Sequence, residues 1–172
     1  MKEPKTEIQR IKGIRYGGAV IRYHTARSHR AQSVAEHSWG VAQLVLGVIP
    51  EPSRELLKAA LNHDLPELWT GDVPAPTKWA FPVIADALKD AESQFHDAFA
   101  THYHITEVEQ RILKFCDMAE LVLWALEERK MGNRYMEEVI ENGMEVLEDM
   151  KFIVPKTQSL IIDLRRQITA LN

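Results

Sequence analysis

The sequence HDLPELWTGDVP, which covers residues 63–74, contains the features that decide the fold of this chain. Its first two residues, His63 and Asp64, place an imidazole beside a carboxylate. Pro66 has no backbone N–H and disfavours continuation of a helix, so the pair is predicted to lie at a helix end. The glycine and prolines that follow predict an irregular loop, and loops held by rigid elements often carry functional residues.

Apolar residues recur at steps of three and four along most of the chain, which is the period of a helix that buries one face. Serine and threonine caps predict helices that begin near residues 33, 53 and 106. Further helices are predicted at residues 82–103, 133–151 and 155–170. No stretch shows convincing strand alternation. We therefore expect an all-α bundle of about six or seven helices.

Two more residues with metal-binding side chains lie on predicted helices. His37 falls in the first turn of the helix that begins at Ser33, and Asp117 lies in mid-helix beside an apolar stripe. Taken singly, they could be an ordinary buried imidazole and a salt-bridged carboxylate. With His63 and Asp64 they supply two imidazoles and two carboxylates. That mixed shell suits one divalent transition ion such as Co, Mn, Fe or Zn.

The remaining histidines and the single cysteine are given structural interpretations. His96, His102 and His104 are interpreted as solvated surface residues, because His-x-His near a helix end is usually solvated; the alternative is a second metal-binding cluster. Cys116 permits no internal disulfide. It is expected in the core, because successive side chains on a helix point about 100° apart and Asp117 therefore faces elsewhere.

The composition disfavours several classes of protein. The 172 residues carry a net charge of −4, with a pI near 6.0, which argues against binding a nucleic-acid polymer through a basic face. Neither an apolar leader nor a long apolar stretch is present, so neither export nor a membrane partner is indicated. We expect a single domain over residues 1–172 that acts in the cytoplasm on a small charged substrate.

The order His37, His63-Asp64, Asp117 resembles the HD-domain phosphohydrolases over roughly residues 22–117. The run HDLPELWTGDVP resembles their 5′-deoxynucleotidase branch, which includes small phage-type deoxyadenosine triphosphatases. The resemblance implies an HD-domain helical bundle in which these four residues hold one ion in a central cleft. It also leaves room for a second ion, such as Mg, on the substrate phosphates.

Two carboxylates after the His-Asp pair are assigned catalytic roles. Glu67 follows Asp64 by three positions, so on a continued helical turn it faces the same side and could orient or deprotonate an attacking water. The resemblance implies that Asp72 lies near the leaving group, as a general acid or an orienting group. The alternative for both is an ordinary surface carboxylate.

The segment before the first ligand is assigned to the substrate. In the resembling deoxynucleotidases, an arginine at the position of Arg22 is followed by a tryptophan that crowds the sugar 2′ position. Tyr23 stands in its place here. Preference for deoxyribose is therefore expected, although the hydroxyl could alter which base or sugar is accepted. Thr25 belongs to the same segment and is assigned with it.

Basic side chains are dense around these residues for an acidic chain. Arg27 and Arg30 precede the first ligand helix, and Lys78 follows the proline-rich loop. Guanidinium and ammonium groups suit phosphate oxygens, so the three are expected to bind phosphates beyond the one attacked. The alternative is a solvated basic loop.

Two hydrolytic activities fit this apparatus, and both break the bond between the 5′ oxygen and the α-phosphorus. The basic residues favour a triphosphohydrolase that takes dATP, in preference to other dNTPs, and releases tripolyphosphate. The alternative is a 5′-deoxynucleotidase that removes phosphate from deoxynucleoside monophosphates. A non-catalytic nucleotide-binding HD module is a third interpretation, and the intact set of ligands argues against it.

The C-terminal helices are expected to serve both the core and a contact between copies of the chain, since family members generally associate through helical faces. A homo-oligomer is therefore predicted. The residues of this apolar stripe are Tyr135, Val139, Met144, Val146 and Leu147.

Overall fold

The computed structural model describes residues 3–171, which form nine α-helices and two short strands. The helices are α1 (Glu7–Gly17), α2 (Val34–Val48), α3 (Arg54–Asn62), α4 (Glu67–Thr70), α5 (Ala75–Ala80), α6 (Pro82–Phe99), α7 (Glu107–Lys130), α8 (Glu137–Asp149) and α9 (Pro155–Thr169). The strands are β1 (Ile21–Arg22) and β2 (Gln32–Ser33), and a 3₁₀ turn at Arg134–Met136 precedes α8.

The all-α architecture is confirmed. Seven of the nine helices have nine or more residues, in agreement with the expected six or seven, and α4 and α5 are shorter pieces. The predicted starts of α2, α3 and α7 are confirmed by their caps. Ser33 and Ser53 each accept a backbone N–H from three residues further on, at 3.1 and 3.0 Å. Thr106 and Glu109 form a reciprocal capping box.

Helix α1 is not predicted by the sequence pattern. Its buried residues are two glycines, Gly13 and Gly17, and not an apolar stripe. A Cβ at Gly13 would lie 2.1 Å from a ring carbon of Phe99, so this helix packs by close approach of its backbone. Hydrophobic periodicity does not detect a helix packed in that way.

Three other local predictions need correction. Helix α6 ends at Phe99, short of residue 103, because Ala100 adopts the left-handed conformation with φ 50°. Helix α5 begins inside the predicted loop, where Pro76 occupies an early helical position that suits proline. Strands β1 and β2 pair antiparallel, although two residues are too few for alternation to show. This pairing ties Arg22 to the segment that leads into α2.

Helix α7 lies at the centre of the molecule and packs against α2, α3, α8 and α9. Phe115, Cys116, Ala119 and Val122 on α7 are fully buried, which confirms the core position of Cys116. Burial, and secondarily the charge of Asp117, raises the pKa of the Cys116 thiol to about 12. The most central helix of the core thus carries one of the proposed metal ligands.

A smaller apolar cluster holds the short helix α4 against α6. Leu65, Phe95 and Phe99 are buried in it, and Trp69 packs edge-on against Phe95 with ring centroids 5.3 Å apart. This cluster fixes the helix that begins with Glu67.

The C-terminal stripe divides between three environments. Met144 and Leu147 are buried in the core, Val139 and Val146 are half-buried, and Tyr135 is 66% exposed. The predicted core role is therefore confirmed for two of the five residues. None of the helices in the described part of the chain is both long and apolar enough to cross a bilayer.

Candidate active site

Three helices bring the predicted metal ligands together. His37 lies in the first turn of α2, His63 caps the C-terminal end of α3, and Asp117 lies in the middle of α7. One ligand atom from each lies within 4.8 Å of the others. Nε2 of His37 is 3.2 Å from Oδ1 of Asp117, and Nε2 of His63 is 4.0 Å from the same oxygen.

Asp64 lies against both imidazoles. Its Oδ2 is 3.4 Å from Nε2 of His37, and its Oδ1 is 3.5 Å from Nε2 of His63. Arg22 donates a hydrogen bond to Oδ2. Burial opposes the charged form of Asp64, but His63 and Arg22 outweigh it and hold the pKa of this carboxyl below its ordinary value. All four residues predicted as ligands thus meet at one point.

Hydrogen bonds to Nδ1 orient both imidazoles. Nδ1 of His63 is 3.1 Å from the backbone carbonyl of Ala60, which can only accept, and Nδ1 of His37 donates to the carboxylate of Glu120. Each ring therefore keeps a proton on Nδ1, which leaves Nε2 as the nitrogen that can bind a cation. Both Nε2 atoms are buried without a hydrogen-bond partner. Two unpartnered nitrogens beside two carboxylates fit a divalent cation.

Glu120 is a further residue of the candidate site that the sequence did not reveal. It lies three positions after Asp117 on α7, so it faces the same side of that helix. Its second oxygen accepts a hydrogen bond from Nε2 of Gln32 at 2.9 Å, and both residues are buried. The spacing of two carboxylates by one helical turn was the signal that could have identified it.

The charges of the site favour a cation. In the metal-free protein, burial disfavours the charged form of His37, but the carboxylates of Asp117 and Glu120 outweigh it and raise the pKa of the imidazole to about 9, so a cation that binds Nε2 displaces a proton. Burial likewise opposes ionisation of Asp117, yet His37 and Lys114 hold the pKa of its carboxyl well below the ordinary value. Nζ of Lys114 is 2.9 Å from Oδ2 of Asp117. The carboxylates of Asp64 and Asp117 therefore remain negative at neutral pH.

Glu67 and Asp72 lie on the same cavity as the ligands. Oε2 of Glu67 is buried without a hydrogen-bond partner. Burial, and then the charge of Asp64, raises the pKa of the Glu67 carboxyl to about 8. Oδ2 of Asp72 accepts the backbone N–H of Tyr23 at 2.8 Å, and Tyr23 has the unusual φ of 56°. The hydrogen bond between Tyr23 and Asp72 joins the loop after α4 to the segment after β1.

The cavity in front of the ligands has a volume of about 250 Å³. Its lining includes seven residues that the sequence assigned to the site: Arg22, Tyr23, Asp64, Glu67, Asp72, Lys78 and Asp117. The sequence missed Trp79, Lys114 and the wall formed by α8, which contributes Val139, Asn142, Gly143 and Val146. A second cavity of about 510 Å³ also reaches the ligands, but neither Glu67 nor Asp72 lines it.

Three residues assigned to the substrate are not brought to this cavity. Thr25 is exposed in a turn. Arg27 lies over the ring of Tyr135, with its guanidinium carbon 5.4 Å from the ring centroid. Arg30 donates to Glu127.

The path of the loop between β1 and β2 explains why Arg27 and Arg30 lie away from this cavity. The backbone N–H groups of His29 and Arg30 donate to the buried carboxylate of Glu128 at 2.7 and 3.2 Å, which holds the loop against the C-terminal end of α7. Glu127, the partner of Arg30, is ten residues beyond Asp117. At 1.5 Å per residue, that places it about 15 Å further along the helix.

His96 and His102 contact residues of their own segment, whereas His104 contacts α3. Nδ1 of His96 is 2.8 Å from the hydroxyl of Thr101, and Nε2 of His102 is 2.9 Å from Oδ1 of Asp97. The backbone N–H of His104 donates to Glu55.

Curated relatives include two phage enzymes. The chain is 30% identical over 121 residues to a dATP triphosphohydrolase of Salmonella phage PMBT28, covering 63% of this chain and 61% of that protein. It is 34% identical over 112 residues to a dATP triphosphohydrolase of Cyanophage S-2L, covering 61% and 63%. The chain thus spans less than two thirds of these two relatives. A 5′-deoxynucleotidase of Cronobacter sakazakii is 32% identical over 139 residues, covering 66% and 69%.

Solved structures match over nearly the whole chain. The Cyanophage S-2L HD phosphohydrolase (DatZ), bound to dA and one catalytic Zn²⁺ ion, superposes with a TM-score of 0.70 at 22% identity, over 98% of this chain and 99% of that one. A Pyrococcus horikoshii protein superposes with a TM-score of 0.73 at 19% identity, over 93% and 99%. The chain has their fold. Residues 11–158, most of the sequence, match the family described as 5′-deoxynucleotidase YfbR-like, and the chain belongs to that family.

Proposed function

We propose that this chain hydrolyses 2′-deoxynucleotides at the bond between the 5′ oxygen and the α-phosphorus and releases the deoxynucleoside. The observation that carries this proposal is the meeting of His37, His63, Asp64 and Asp117 at the edge of a cavity that Glu67 also lines. The names of the relatives support it, since they are dATP triphosphohydrolases and 5′-deoxynucleotidases.

The four residues that meet would hold one divalent ion through Nε2 of each imidazole and through the two aspartates. Co, Mn, Fe and Zn all suit this donor set, and the Zn²⁺ of DatZ supports Zn. Such an ion polarises a phosphate oxygen and lowers the pKa of a coordinated water. A second ion, such as Mg, would neutralise substrate phosphates further from the attacked phosphorus.

The chain itself manages the protons of the reaction. The unpartnered oxygen of Glu67 orients the attacking water and accepts its proton. Asp72, held by the N–H of Tyr23, faces the same cavity and orients or protonates the leaving 5′ oxygen. The positions of both proton-transfer groups are therefore fixed. The apolar cluster under α4 holds Glu67, and the segment after β1 holds Asp72.

Arg22 and Tyr23 bind the nucleotide near the attacked phosphorus. The guanidinium of Arg22 is held by Asp64, and its Nε is buried without a partner, which leaves a donor for a phosphate oxygen. The ring of Tyr23 is stacked parallel to Trp124, with centroids 4.2 Å apart, so its position is fixed. A fixed ring can exclude a 2′ hydroxyl and so select deoxyribose.

We propose dATP as the substrate, with deoxyadenosine and tripolyphosphate as products. The two phage relatives support this, and Lys78 and Lys114 line the cavity and provide positive charge for a polyphosphate. The second candidate is a deoxynucleoside monophosphate. It is favoured by the Cronobacter relative and by the diversion of Arg27 and Arg30 away from the site.

A substrate panel tests both candidates. The metal-loaded protein is incubated with dATP, dGTP, dAMP, ATP and AMP in ¹⁸O-labelled water, and the products are separated and weighed by mass spectrometry. We expect deoxyadenosine and ¹⁸O-labelled tripolyphosphate from dATP, with little turnover of ATP. Turnover of dAMP alone would establish the second candidate. Recovery of ¹⁸O in deoxyadenosine would show that the bond between C5′ and the 5′ oxygen is broken, which would contradict the proposed cleavage.

We also propose that copies of the chain associate and that the protein acts in the cytoplasm, which is the host cytoplasm if the chain is phage-encoded. Phe152, 76% exposed, and Ile162 on α9, 44% exposed, supply apolar surface for a contact between copies. Light scattering after size exclusion tests the association, and a monomer mass at all concentrations would reject it.

A further inference from the structure

The cavity that Glu67 lines is also lined by a tryptophan that the proposed chemistry does not use. Trp79 lines the cavity and is 66% exposed. It lies on α5, a helix of six residues that packs mainly against α6. A large aromatic side chain left in water at the mouth of a polar site has apolar area available for a ligand.

Helix α8 also lines the cavity, with Val139 and Val146 as its apolar part. Gly143 allows this wall to approach α7 closely, since a Cβ there would lie 2.6 Å from a methyl carbon of Val122. Asn142 is the one carboxamide among the described residues that line the cavity. Its side chain is exposed, so both its amide groups are available to a ligand.

We infer that the part of the cavity lined by Trp79 and Asn142 is the nucleobase subsite. In it, Trp79 stacks on one face of the base and Asn142 forms hydrogen bonds with its edge. The inference rests on the proposed function, because it takes the ligand to be a nucleotide. Stacking on an aromatic ring suits any base, since every base has a π face. Trp79 therefore provides affinity for any base, and the carboxamide of Asn142 selects between bases.

The hydrogen-bonding groups of Asn142 select adenine over guanine. A carboxamide offers one acceptor and one pair of donors side by side, and adenine presents the complementary pair at its N6 amino group and N7. Guanine presents two acceptors, O6 and N7, at the same edge. The amide oxygen of Asn142 would then face O6 without a proton between them. The subsite thus accounts for a preference for dATP among purine substrates.

Binding of deoxyadenosine to the metal-loaded protein tests the stacking residue without any turnover. Isothermal titration calorimetry compares the wild type with Trp79→Ala and Trp79→Phe. We expect Trp79→Ala to weaken binding by on the order of tenfold to a hundredfold, and Trp79→Phe to recover most of the loss. Trp39→Ala is the matched control, because Trp39 is 64% exposed on α2 and does not line the cavity.

The same titration with deoxyguanosine tests the amide. We expect the wild type to bind deoxyadenosine about tenfold to a hundredfold more tightly than deoxyguanosine. Asn142→Ala should bring this ratio close to one. Asn142→Asp should weaken deoxyadenosine further, because a carboxylate has no donor for N7. A ratio unchanged in Asn142→Ala would overturn the assignment of the amide.

The binding readout separates this subsite from the proposed reaction. If deoxyadenosine binds through Trp79 but no substrate in the panel is hydrolysed, the subsite stands and the proposed function fails. If dATP is hydrolysed while Trp79→Ala binds deoxyadenosine as the wild type does, the proposed function stands and the subsite is wrong. Absence of deoxyadenosine binding by the wild type would also reject the subsite.

Discussion

The carboxylate of Glu120 on α7 accepts the Nδ1 proton of His37 on α2, and both side chains are buried. This hydrogen bond keeps a proton on Nδ1 and so directs Nε2 of His37 toward Asp117. Glu120 therefore positions a proposed metal ligand without contributing one of the atoms that meet at the centre. Partners of this kind affect metal affinity strongly, because they set both the orientation and the basicity of the ligand.

Replacement of Glu120 should weaken metal binding. We expect Glu120→Ala to lower the affinity for a divalent ion by about tenfold to a hundredfold, since the freed imidazole can rotate or take the other tautomer. A competitive titration with a chromophoric chelator measures this affinity. Glu127→Ala is the control, because Glu127 lies on the same helix but pairs with Arg30. Equal affinities in the two variants would show that Glu120 does not position His37.

The Asp117→Ala and Glu67→Ala variants should lose activity for different reasons. Asp117→Ala removes a ligand, so both bound metal and hydrolysis should be lost, and His63→Ala should behave likewise. Glu67→Ala should retain the ion while turnover falls by about 10²- to 10⁴-fold, because Glu67 acts on water. Metal content by plasma mass spectrometry and initial rates separate the two cases. Should Glu67→Ala lose the ion as completely as Asp117→Ala, Glu67 would have to be reassigned as a ligand.

The stability of the metal-free protein should fall as the pH rises. Burial and Asp64 raise the pKa of Glu67 from 4.5 to about 8, and hydrogen bonds raise that of His37 from 6.5 to about 9 despite burial. A group with a higher pKa in the folded chain binds more protons there than in the unfolded chain. Its contribution to the free energy of unfolding is complete below the pKa of the unfolded chain and is lost as the pH rises through the higher pKa of the folded chain.

Both windows place the loss between weakly acidic and alkaline pH, so the Tm of chelator-treated protein should decrease from about pH 6 to about pH 9. Differential scanning calorimetry at intervals of pH measures this slope. Glu67→Gln should make it shallower, because an amide does not titrate. The lowered pKa values of Asp64 and Asp117 act in acid and do not interfere. A Tm that rises over this range would contradict the assigned directions.

Lys78 should distinguish the triphosphate from the monophosphate. If its ammonium binds a distal phosphate, Lys78→Ala should raise the KM for dATP by about tenfold to a hundredfold and that for dAMP much less, because only the longer substrate reaches it. Steady-state kinetics with both substrates measure the two changes. Arg30→Ala is the control, since Arg30 pairs with Glu127, and it should alter neither KM. Equal losses for dATP and dAMP would leave Lys78 as a surface lysine.

Adding a methyl group at Gly143 should destabilise the packing of α8 against α7. A Cβ there would lie 2.6 Å from Val122, so Gly143→Ala should push α8 away from α7 and cost about 1–3 kcal/mol of the free energy of unfolding. At Gly47 no heavy atom lies within 4 Å of the added Cβ, and Gly47→Ala should instead stabilise α2 by about 0.5–1 kcal/mol. Urea unfolding measures both. The prediction fails if both variants change stability in the same direction.

The sequence by itself determined the features that depend on local interactions. Caps such as Ser33 and Thr106 begin helices because their side chains bind backbone N–H groups only three residues away, and apolar periodicity marks the face that must be buried. The types of the four ligands were likewise visible, because an isolated Asp117 on an otherwise apolar stripe has no local reason to be there.

Only the tertiary structure decided which distant groups meet. Glu128 draws the loop of Arg30 toward the far end of α7, and Glu120 reaches His37 across the interface of two helices; both contacts join residues more than 80 positions apart. The wall formed by α8 reaches the cavity because Gly143 permits close packing. Such pairings follow from how whole helices pack against one another, and no short window of sequence contains both partners.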